Sequence, residues 1–239
     1  MRAPYEIIGP PGGDLLLIAD HASNHIPAAM DNLGLAAHRH DQHIAYDIGT
    51  AALTRALSHR LGARAVLAGF SRLVIDPNRP LAHETLIPHV SDNVVIPGNA
   101  QLSKAARASR IACYYTPYHQ AIAREVERAC QCGRPPRLIS IHSFTPHMNG
   151  AARPWHAAVL WNRDGRLAEA LARALEAEGD LVVGRNAPYS GRDLNHSMDR
   201  HAEAKGLPYA TLEIRQDLLE KPSDIEAWSA RLSALLAHL

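Results

Sequence analysis

The sequence predicts an α/β fold in which one sheet is covered by helices on both faces. The first observation is an apolar run over 14–20, which lacks the polar alternation of a half-exposed strand and is typical of a buried parallel strand. The second is that further runs of this kind alternate with segments of helical apolar spacing, such as 44–61. The third is that the 239 residues show neither an internal repeat nor a linker, so we expect a single domain over 1–239.

The composition is that of an ordinary globular protein, with 46% hydrophobic and 21% charged residues. The formal net charge of +1 provides no basic surface of the kind that binds nucleic acid. No apolar run approaches membrane-spanning length, and the first residues lack the apolar core of a signal peptide. Cys113, Cys130 and Cys132 form no disulfide framework, which favours a reducing compartment. We therefore expect a cytoplasmic protein without nucleic-acid or membrane partners.

The elements of the first half follow from apolar runs and from the residues that interrupt them. Pro27 suits the first turn of a short helix, and Gly62 suits the end of a longer one. Two prolines within 76–80 exclude regular structure there. The expected order is a lead-in loop over 5–13, a strand over 14–20, a short helix from Ala28, a helix over 44–61, strands over 65–70 and 73–75, and a long ordered loop over 83–99.

The second half is read in the same way. Pro117 falls inside a helical pattern, so we expect either a kink there or two separate helices. Ser223 and Glu226 have the spacing of a capping box at the start of the last helix. The expected order is a helix over 102–130 interrupted at Pro117, strands over 137–141 and 157–161, a helix over 166–178, a short strand over 181–183, a turn-rich loop over 186–191, a helix over 197–205, a strand over 209–214 and a terminal helix to 238.

Three predicted strand ends carry side chains suited to metal or proton-transfer chemistry: His21, His142 and Glu213. In open α/β sheets, catalytic groups gather at the carboxyl ends of the strands. A catalytic zinc takes about three protein ligands and leaves one position for water. His21 and His142 would supply two, and the third is either Asp47 or Asn24. We favour Asp47, because an amide carries no charge. The same ligands would also accept Co²⁺, Mn²⁺ or Ni²⁺.

Glu213 is the candidate general base. It lies between apolar residues in a predicted strand, where burial would raise the pKa of its carboxyl group. The alternative interpretation is a buried ion pair with Arg215 or Arg72. The sequence alone favours neither interpretation over the other.

The turn over 76–80 presents Asn78 and Arg79, and a guanidinium suits bidentate recognition of a carboxylate. Arg72 is a second candidate for binding substrate, and His119, close to Pro117, is a third. The alternative is that the arginines are surface residues and that His119 only caps the kink. We expect a small acidic molecule as the substrate or ligand.

Seven motifs together suggest a family. They are D-H-A-S-N-H-I-P from Asp20, H-I-A-Y-D-I-G from His43, S-R-L-V-I-D-P-N-R-P from Ser71, I-P-G-N from Ile96, Y-T-P-Y-H from Tyr115, I-H-S-F from Ile141 and L-E-I-R from Leu212. In this order they resemble the N-formylglutamate amidohydrolase family, from the first strand to Glu213. The family's H-S-G and D-W positions read His21-Ala22-Ser23 and Asp47-Ile48 here, so the chain resembles a divergent branch.

The resemblance implies a three-layer α/β sandwich with a mixed central sheet between helices, similar to the zinc-dependent exopeptidases (phosphorylase/hydrolase-like). It also implies zinc-assisted hydrolysis of the amide bond of an N-acylated amino acid, with N-formylglutamate giving formate and glutamate. His21 and His142 resemble the metal-binding histidines of the family, and Asp47 matches its acidic position. Asn78 with Arg79 resembles the carboxylate-binding pair of related carboxypeptidases, and Glu213 resembles their general base.

Two rival functions stay open at this stage. One is a protein on the same scaffold that binds a small acidic ligand without hydrolysing it, which would not need Glu213. The other is an amidase or peptidase acting on glutamyl or cell-wall peptides. The sequence also leaves open whether the protein forms a homo-oligomer. We interpret the apolar face of the terminal helix, which includes Trp228 and Leu232, as core packing rather than a dimer face.

Overall fold

The computed structural model describes residues 3–148 and 150–239, and a mixed sheet of seven strands lies at its centre. The strands are β1 (Tyr5–Ile8), β2 (Leu15–Ala19), β3 (Arg64–Ala68), β4 (Val90–Ser91), β5 (Val94–Val95), β6 (Arg137–Phe144), β7 (His147–Met148), β8 (Ala151–Ala152), β9 (Ala157–Leu160), β10 (Val183–Arg185) and β11 (Tyr209–Arg215). The sheet order is β1-β3-β2-β6-β11-β9-β10, while β4 pairs with β5 and β7 with β8 in short hairpins.

The four strands from β3 to β11 in that order are mutually parallel, and β1 and β9 are antiparallel to their inner neighbours. The helices are α1 (Thr50–Leu61), α2 (Lys104–Arg110), α3 (Thr116–Gln131), α4 (Arg166–Ala177), α5 (His196–His201) and α6 (Pro222–Leu236). α1, α4 and α6 pack on one face of the sheet, and α3 and α5 pack on the other. The predicted three-layer α/β sandwich is confirmed.

The first strand shows why its apolar run does not alternate. Leu15 and Leu17 of β2 belong to the core on the α1 side, whereas Leu16 and Ile18 belong to the core on the α3 side. All five residues of β2 are buried. A strand buried on both faces needs apolar side chains at every position, and its polar residues are therefore confined to its end.

Two predictions about the N-terminal third were wrong. The lead-in over 5–13 contains β1, which pairs with β3. The helix expected over 44–61 begins only at Thr50, after Gly49, whose positive φ of 83° ends the preceding turn. Ile44 and Ala45 are buried as the pattern required, but they belong to a loop that packs into the core of the α3 side.

The run 73–75 is a buried turn and not the predicted strand. The N–H of Val74 donates to the carbonyl of Ser71, and the Ser71 hydroxyl donates to the carbonyl of Ala45 and accepts from the N–H of Leu73. The side chains of Leu73, Val74 and Ile75 are fully buried. Burial alone therefore explains this apolar run, and its backbone bonds to a loop instead of a sheet.

Smaller differences concern element ends. The interruption near Pro117 is a π-helical segment, Ile111–Tyr115, between α2 and α3. The loop over 83–99 contains the hairpin of β4 and β5, β6 extends to Phe144, the strand expected over 181–183 is β10, and the helix expected over 197–205 is divided into α5 and a 3₁₀ turn, Glu203–Lys205. The last helix begins at Pro222, where Asp224 and not Glu226 accepts the capping bond, from the N–H of Lys221.

Trp228, Leu232 and Leu236 of α6 are buried in the core on the α1 side. None of the helices in the described ranges has the length and apolarity needed to cross a lipid bilayer.

Candidate metal centre and active site

The predicted strand ends meet at one edge of the sheet. β2 is followed directly by Asp20 and His21, and its neighbour β6 carries His142. β11 lies on the other side of β6 and places Glu213 in register with His142. Asp47 comes from the loop before α1, where its N–H donates to the carbonyl of His21 at 3.0 Å. Three parallel strands and one loop therefore gather the candidate residues at one place.

His21, Asp47 and His142 form a buried group that could hold a metal ion, because one ligand atom from each lies within 4.8 Å of the others. Oδ2 of Asp47 lies 3.3 Å from Nδ1 of His21 and 2.8 Å from Nδ1 of His142. Two imidazole nitrogens and a carboxylate oxygen are a ligand set typical of catalytic zinc, which keeps a further position for water or substrate. The chemistry of the donor atoms therefore fits the metal that the sequence predicts.

Two further carboxylates, those of Asp20 and Asp76, lie behind the two histidines. Nε2 of His21 is 2.7 Å from Oδ1 of Asp76, and Nε2 of His142 is 3.3 Å from Oδ2 of Asp20. Both nitrogens of each ring therefore face a carboxylate, with Nε2 on an outer aspartate and Nδ1 on Asp47. A metal ion bound beside Asp47 would take the place of the Nδ1 protons, while the outer carboxylates fix the orientation of the rings.

The electrostatics of this group favour positive charge at its centre. Burial by itself would raise the pKa of Asp20, but the hydrogen bond and charge of His142 lower it to about 2. Burial would raise the pKa of Asp47 and Asp76 as well, and the neighbouring imidazoles outweigh it, so the pKa of both is lowered. Burial would lower the pKa of His142, yet Asp20 and Asp47 hold it well above its ordinary value. Because a cation competes with protons for such ligands, we expect metal affinity to increase with pH.

Glu213 is a buried carboxyl group that faces the cavity beside these ligands. Burial raises the pKa of Glu213 to about 7; the histidine charges oppose this shift and Asp47 adds to it. Oε2 of Glu213 has no hydrogen-bond partner among the described residues. The alternative ion pair with Arg72 or Arg215 is not formed, since both guanidinium groups pair with aspartates. An unoccupied acceptor with a pKa near neutrality suits a general base.

Arg72 lines the cavity but is neutralised by internal partners. Its Nη2 donates to Oδ2 of Asp76 at 2.8 Å, and its Nη1 donates to Oδ1 of Asp47 at 3.4 Å. Burial would lower the pKa of the guanidinium, and the two carboxylates raise it. Arg72 therefore joins a candidate metal ligand to the carboxylate that orients His21, which leaves less of its charge for a substrate than the sequence suggested.

Asn78 and Arg79 are presented to the cavity by a fixed turn. The N–H of Asn78 donates to Oδ1 of Asp76 at 2.9 Å, and its side-chain oxygen accepts from the N–H of Ser197 at 3.0 Å. Nη1 of Arg79 donates to the carbonyl of Asn78 at 3.0 Å, and Nε donates to the Thr85 hydroxyl at 3.3 Å. Within the described part of the chain Arg79 has no ion-pair partner, so its charge is available to an anion.

Seven of the candidate residues line one cavity of about 260 Å³: His21, Asp47, Arg72, Asn78, Arg79, His142 and Glu213. An apolar wall stands beside them, formed by Ile44, Phe144, Met148, Leu160 and Leu194, and the hydroxyl-bearing Thr145 and Tyr189 also line the space. The cavity combines this apolar wall with a larger number of polar and charged side chains, which suits a small charged ligand.

Comparison with known proteins identifies the family. The model of the N-formylglutamate amidohydrolase family matches residues 13–220, which is most of the chain. The chain belongs to the N-formylglutamate amidohydrolase family. It is accordingly an amidohydrolase, which acts on carbon–nitrogen bonds other than peptide bonds. No match was found among curated protein sequences.

Several solved structures share the fold of this chain. The gene product Atu2144 from Agrobacterium tumefaciens is 34% identical, with a TM-score of 0.95 over 99% of this chain and 94% of its own. The N-formylglutamate amidohydrolase from Ralstonia eutropha JMP134 is 24% identical, with a TM-score of 0.76 over 98% of this chain and 96% of its own. A bacteriophage poly-gamma-glutamate hydrolase is 11% identical, with a TM-score of 0.50 over 100% of this chain and 90% of its own, which shows likeness of fold alone.

Two of the predicted site residues lie outside the cavity of this amidohydrolase. Both ring nitrogens of His119 are occupied, Nδ1 by His201 at 2.8 Å and Nε2 by the carbonyl of Pro77 at 3.0 Å. His119 therefore supports the turn that carries Arg79 and has no ring nitrogen free for a substrate. The side chain of Asn24 donates to Asp41 at 3.2 Å, so Asn24 is not the third member of the metal group.

Three residues of the site have no predicted role from sequence: Asp20, Asp76 and Tyr189. The position of Asp20 immediately before His21 was a usable signal, because a second polar residue at the end of a buried strand needs a partner. Asp76 opens the turn that carries Arg79, but its contact with His21 spans 55 positions in sequence. The sequence around Tyr189 has no motif that points to the cavity.

Proposed function

We propose that this amidohydrolase uses a divalent metal, zinc in the first instance, to hydrolyse the amide bond of an N-acylated amino acid. N-formylglutamate, giving formate and glutamate, is the substrate we propose. The observation that carries the proposal is the convergence of His21, Asp47 and His142 beside a buried Glu213 with an unoccupied oxygen. We further propose that the chain forms a single catalytic domain and acts in the cytoplasm, in keeping with its exposed, unpaired cysteines.

His21, Asp47 and His142 would hold the metal. When bound, a zinc ion would polarise the substrate carbonyl and increase the acidity of water. Glu213 accepts a proton from the attacking water at Oε2 and then delivers it to the departing nitrogen. Arg79, with Asn78, binds the α-carboxylate and places the scissile amide in front of Glu213. Asp20 and Asp76 hold the two imidazole rings in position throughout.

The test is a paired measurement of metal content and turnover. Wild type, His21→Ala and His142→Ala are purified with zinc supplied at neutral pH, and His59→Ala, at an exposed position of α1, is the matched control. We expect nearly one zinc per wild-type and control chain, formate release from N-formylglutamate by both, and loss of zinc and turnover in the two site variants. A wild-type protein that takes up no divalent metal would overturn the proposal.

A ligand-binding protein on the same scaffold is the principal rival. It would hold an acidic small molecule at Arg79 and would have no use for Glu213. The Glu213→Ala variant separates the two functions: a hydrolase keeps its affinity for the substrate and loses turnover, whereas a binding protein shows no turnover before or after the change. The unoccupied Oε2 and the raised pKa of Glu213 favour the hydrolase.

A further inference from the structure

A buried guanidinium near the cavity lacks an acidic partner. Arg153 follows β8 and is 9% exposed, and none of the described carboxylates lies within ion-pair distance of it. Its backbone is fixed, since its N–H donates to the carbonyl of Pro146 and its carbonyl accepts from Nη1 of Arg215 at 3.3 Å. Buried arginines are normally paired with acids, because an uncompensated charge is costly in a low dielectric.

Arg153 is held against the cavity wall. Its Nη2 donates to the hydroxyl oxygen of Tyr189 at 2.7 Å, and its guanidinium lies 4.8 Å from the centre of the Tyr189 ring and 5.7 Å from that of Phe144. Nη1 makes only long contacts with Thr145, at 3.4 and 3.5 Å. The side chains of Tyr189, Phe144 and Thr145 line the cavity, so the charge lies immediately behind its surface.

The contact with Arg153 fixes the role of the Tyr189 hydroxyl. Because Arg153 donates, the phenol oxygen accepts, and its own hydrogen remains to be donated elsewhere. The described residues provide no acceptor for that hydrogen. Burial raises the pKa of Tyr189 even though Arg153 opposes the shift, so the hydroxyl stays protonated at neutral pH. The cavity therefore contains a polarised donor without an acceptor.

The charges around the cavity point to the ligand. Arg72 is neutralised by its two aspartates, and His43 is paired with Asp92 at 3.1 Å. Arg79 and Arg153 are, within the described ranges, the guanidinium groups beside the cavity that have no acid. They come from separate parts of the chain, one from the turn before the 83–99 loop and the other from the segment after β8. Two unneutralised cations beside one cavity suit a ligand with two negative charges.

We propose that Tyr189, backed by Arg153, forms a second anion subsite that binds the side-chain carboxylate of the substrate, while Arg79 binds the α-carboxylate. This assignment rests on the proposed function and adds to it the residues that would select an acidic side chain. Tyr189 contacts the carboxylate directly, and Arg153 acts as a positioning residue that polarises the phenol.

The test compares two substrates that differ in one charge. N-formyl-L-glutamate and N-formyl-L-glutamine have nearly the same size, so their kcat/KM ratio reports recognition of the side-chain carboxylate. We expect Tyr189→Phe to lower kcat/KM for the glutamate substrate about tenfold to hundredfold, mainly through KM, and to leave the glutamine substrate nearly unchanged. Arg153→Met should act in the same direction. Tyr114→Phe and Arg134→Met, at positions outside the cavity, are the matched controls.

A binding experiment separates this subsite from the hydrolase proposal. L-glutamate and L-glutamine are titrated calorimetrically into wild type, Tyr189→Phe and the controls, with no turnover involved. Selective binding of glutamate that Tyr189→Phe removes would support the subsite even if no substrate were hydrolysed. If wild type bound L-glutamate and L-glutamine with equal affinity, or if Tyr189→Phe lost affinity for both equally, the subsite would be overturned. Either result would leave the hydrolase proposal standing. If Arg153→Met fails to fold, Tyr189→Phe decides alone.

Discussion

Apart from its apolar residues, the cavity has two polar surfaces, which we call the strand wall and the loop wall. They differ in how their polar atoms are hydrogen-bonded. On the wall built from strand ends, His21 and His142 have both ring nitrogens next to carboxylates of the chain itself. On the wall built from loops, Arg79 and Arg153 have no acid among the described residues, and the Tyr189 hydroxyl has no acceptor there. The histidines of the strand wall are therefore paired within the chain, whereas the loop wall has hydrogen-bond donors without acceptors.

This difference separates chemistry from recognition. Leaving a buried hydrogen-bonding group without a partner costs about 1–3 kcal/mol, so unpaired groups mark places where a ligand supplies the partner. The strand wall needs fixed geometry, which a sheet provides, and the loop wall needs an arrangement matched to one substrate. Glu213 is the exception on the strand wall, because it lies on β11 but its Oε2 has no hydrogen-bond partner among the described residues.

The largest loss of activity should follow from removing the proposed general base. Glu213→Gln keeps the shape of the side chain and removes its ability to take a proton, so kcat should fall about 10²- to 10⁴-fold. KM and metal content should stay close to wild type, because the substitution leaves the candidate metal ligands and Arg79 unchanged. Initial rates of formate release and metal analysis measure this. Glu127→Gln, at an exposed position of α3, is the control, and a kcat near that of wild type would show that Glu213 is not the base.

A smaller effect should come from an outer carboxylate of the strand wall. Asp76→Asn removes the charge that holds Nε2 of His21, and zinc affinity should fall about 10- to 100-fold. Competition with a chromogenic zinc chelator measures the affinity directly. Asp31→Asn, at an exposed position outside the site, should have no effect. Unchanged affinity in Asp76→Asn would mean that the outer carboxylates only fill space.

On the loop wall, Arg79→Met should raise KM for N-formylglutamate by about tenfold or more, because a hydrogen-bonded charge contact is lost. Metal content should not change, since Arg79 does not contact the metal group. Steady-state kinetics and metal analysis of the same preparation separate the two walls. A loss of zinc in Arg79→Met would contradict the division between them.

The effect least connected with turnover concerns stability and pH. Burial lowers the pKa of His119 and His201 to about 3, so the folded protein keeps both rings neutral while the unfolded chain takes up protons near its ordinary value of 6.5. The unfolded state then binds more protons, and the free energy of unfolding should fall as pH decreases from about 6.5 towards 3.

Urea unfolding of the metal-free protein at several pH values measures this dependence. In a His119→Gln, His201→Gln double variant the dependence should be weaker than in wild type. The remaining slope comes from the other titrating groups, which are common to both proteins. An identical slope in the two proteins would show that the buried pair does not take up protons differentially.

Local patterns in the sequence were enough to predict the fold class and the edge of the sheet at which the candidate residues lie. Apolar runs without alternation indicate strands that are buried on both faces. Polar residues at the ends of such strands lie at the edge of the sheet. That local rule placed His21, His142 and Glu213 towards the carboxyl ends of their strands, while the charge of a carboxylate ligand pointed to Asp47 and the proline-flanked turn pointed to Arg79. These predictions need no knowledge of which loop contacts which strand.

Which of these groups are paired and which are free depends on how distant segments pack together. Asp20 meets His142 across 122 positions, and Tyr189 meets Arg153 across 36. Arg72 was a candidate for binding substrate and proved to be neutralised by aspartates, while His119 was turned towards His201. Such pairings depend on distances of a few ångströms between separate loops and strands. No periodicity or local motif encodes those distances, because they follow from how the whole chain packs.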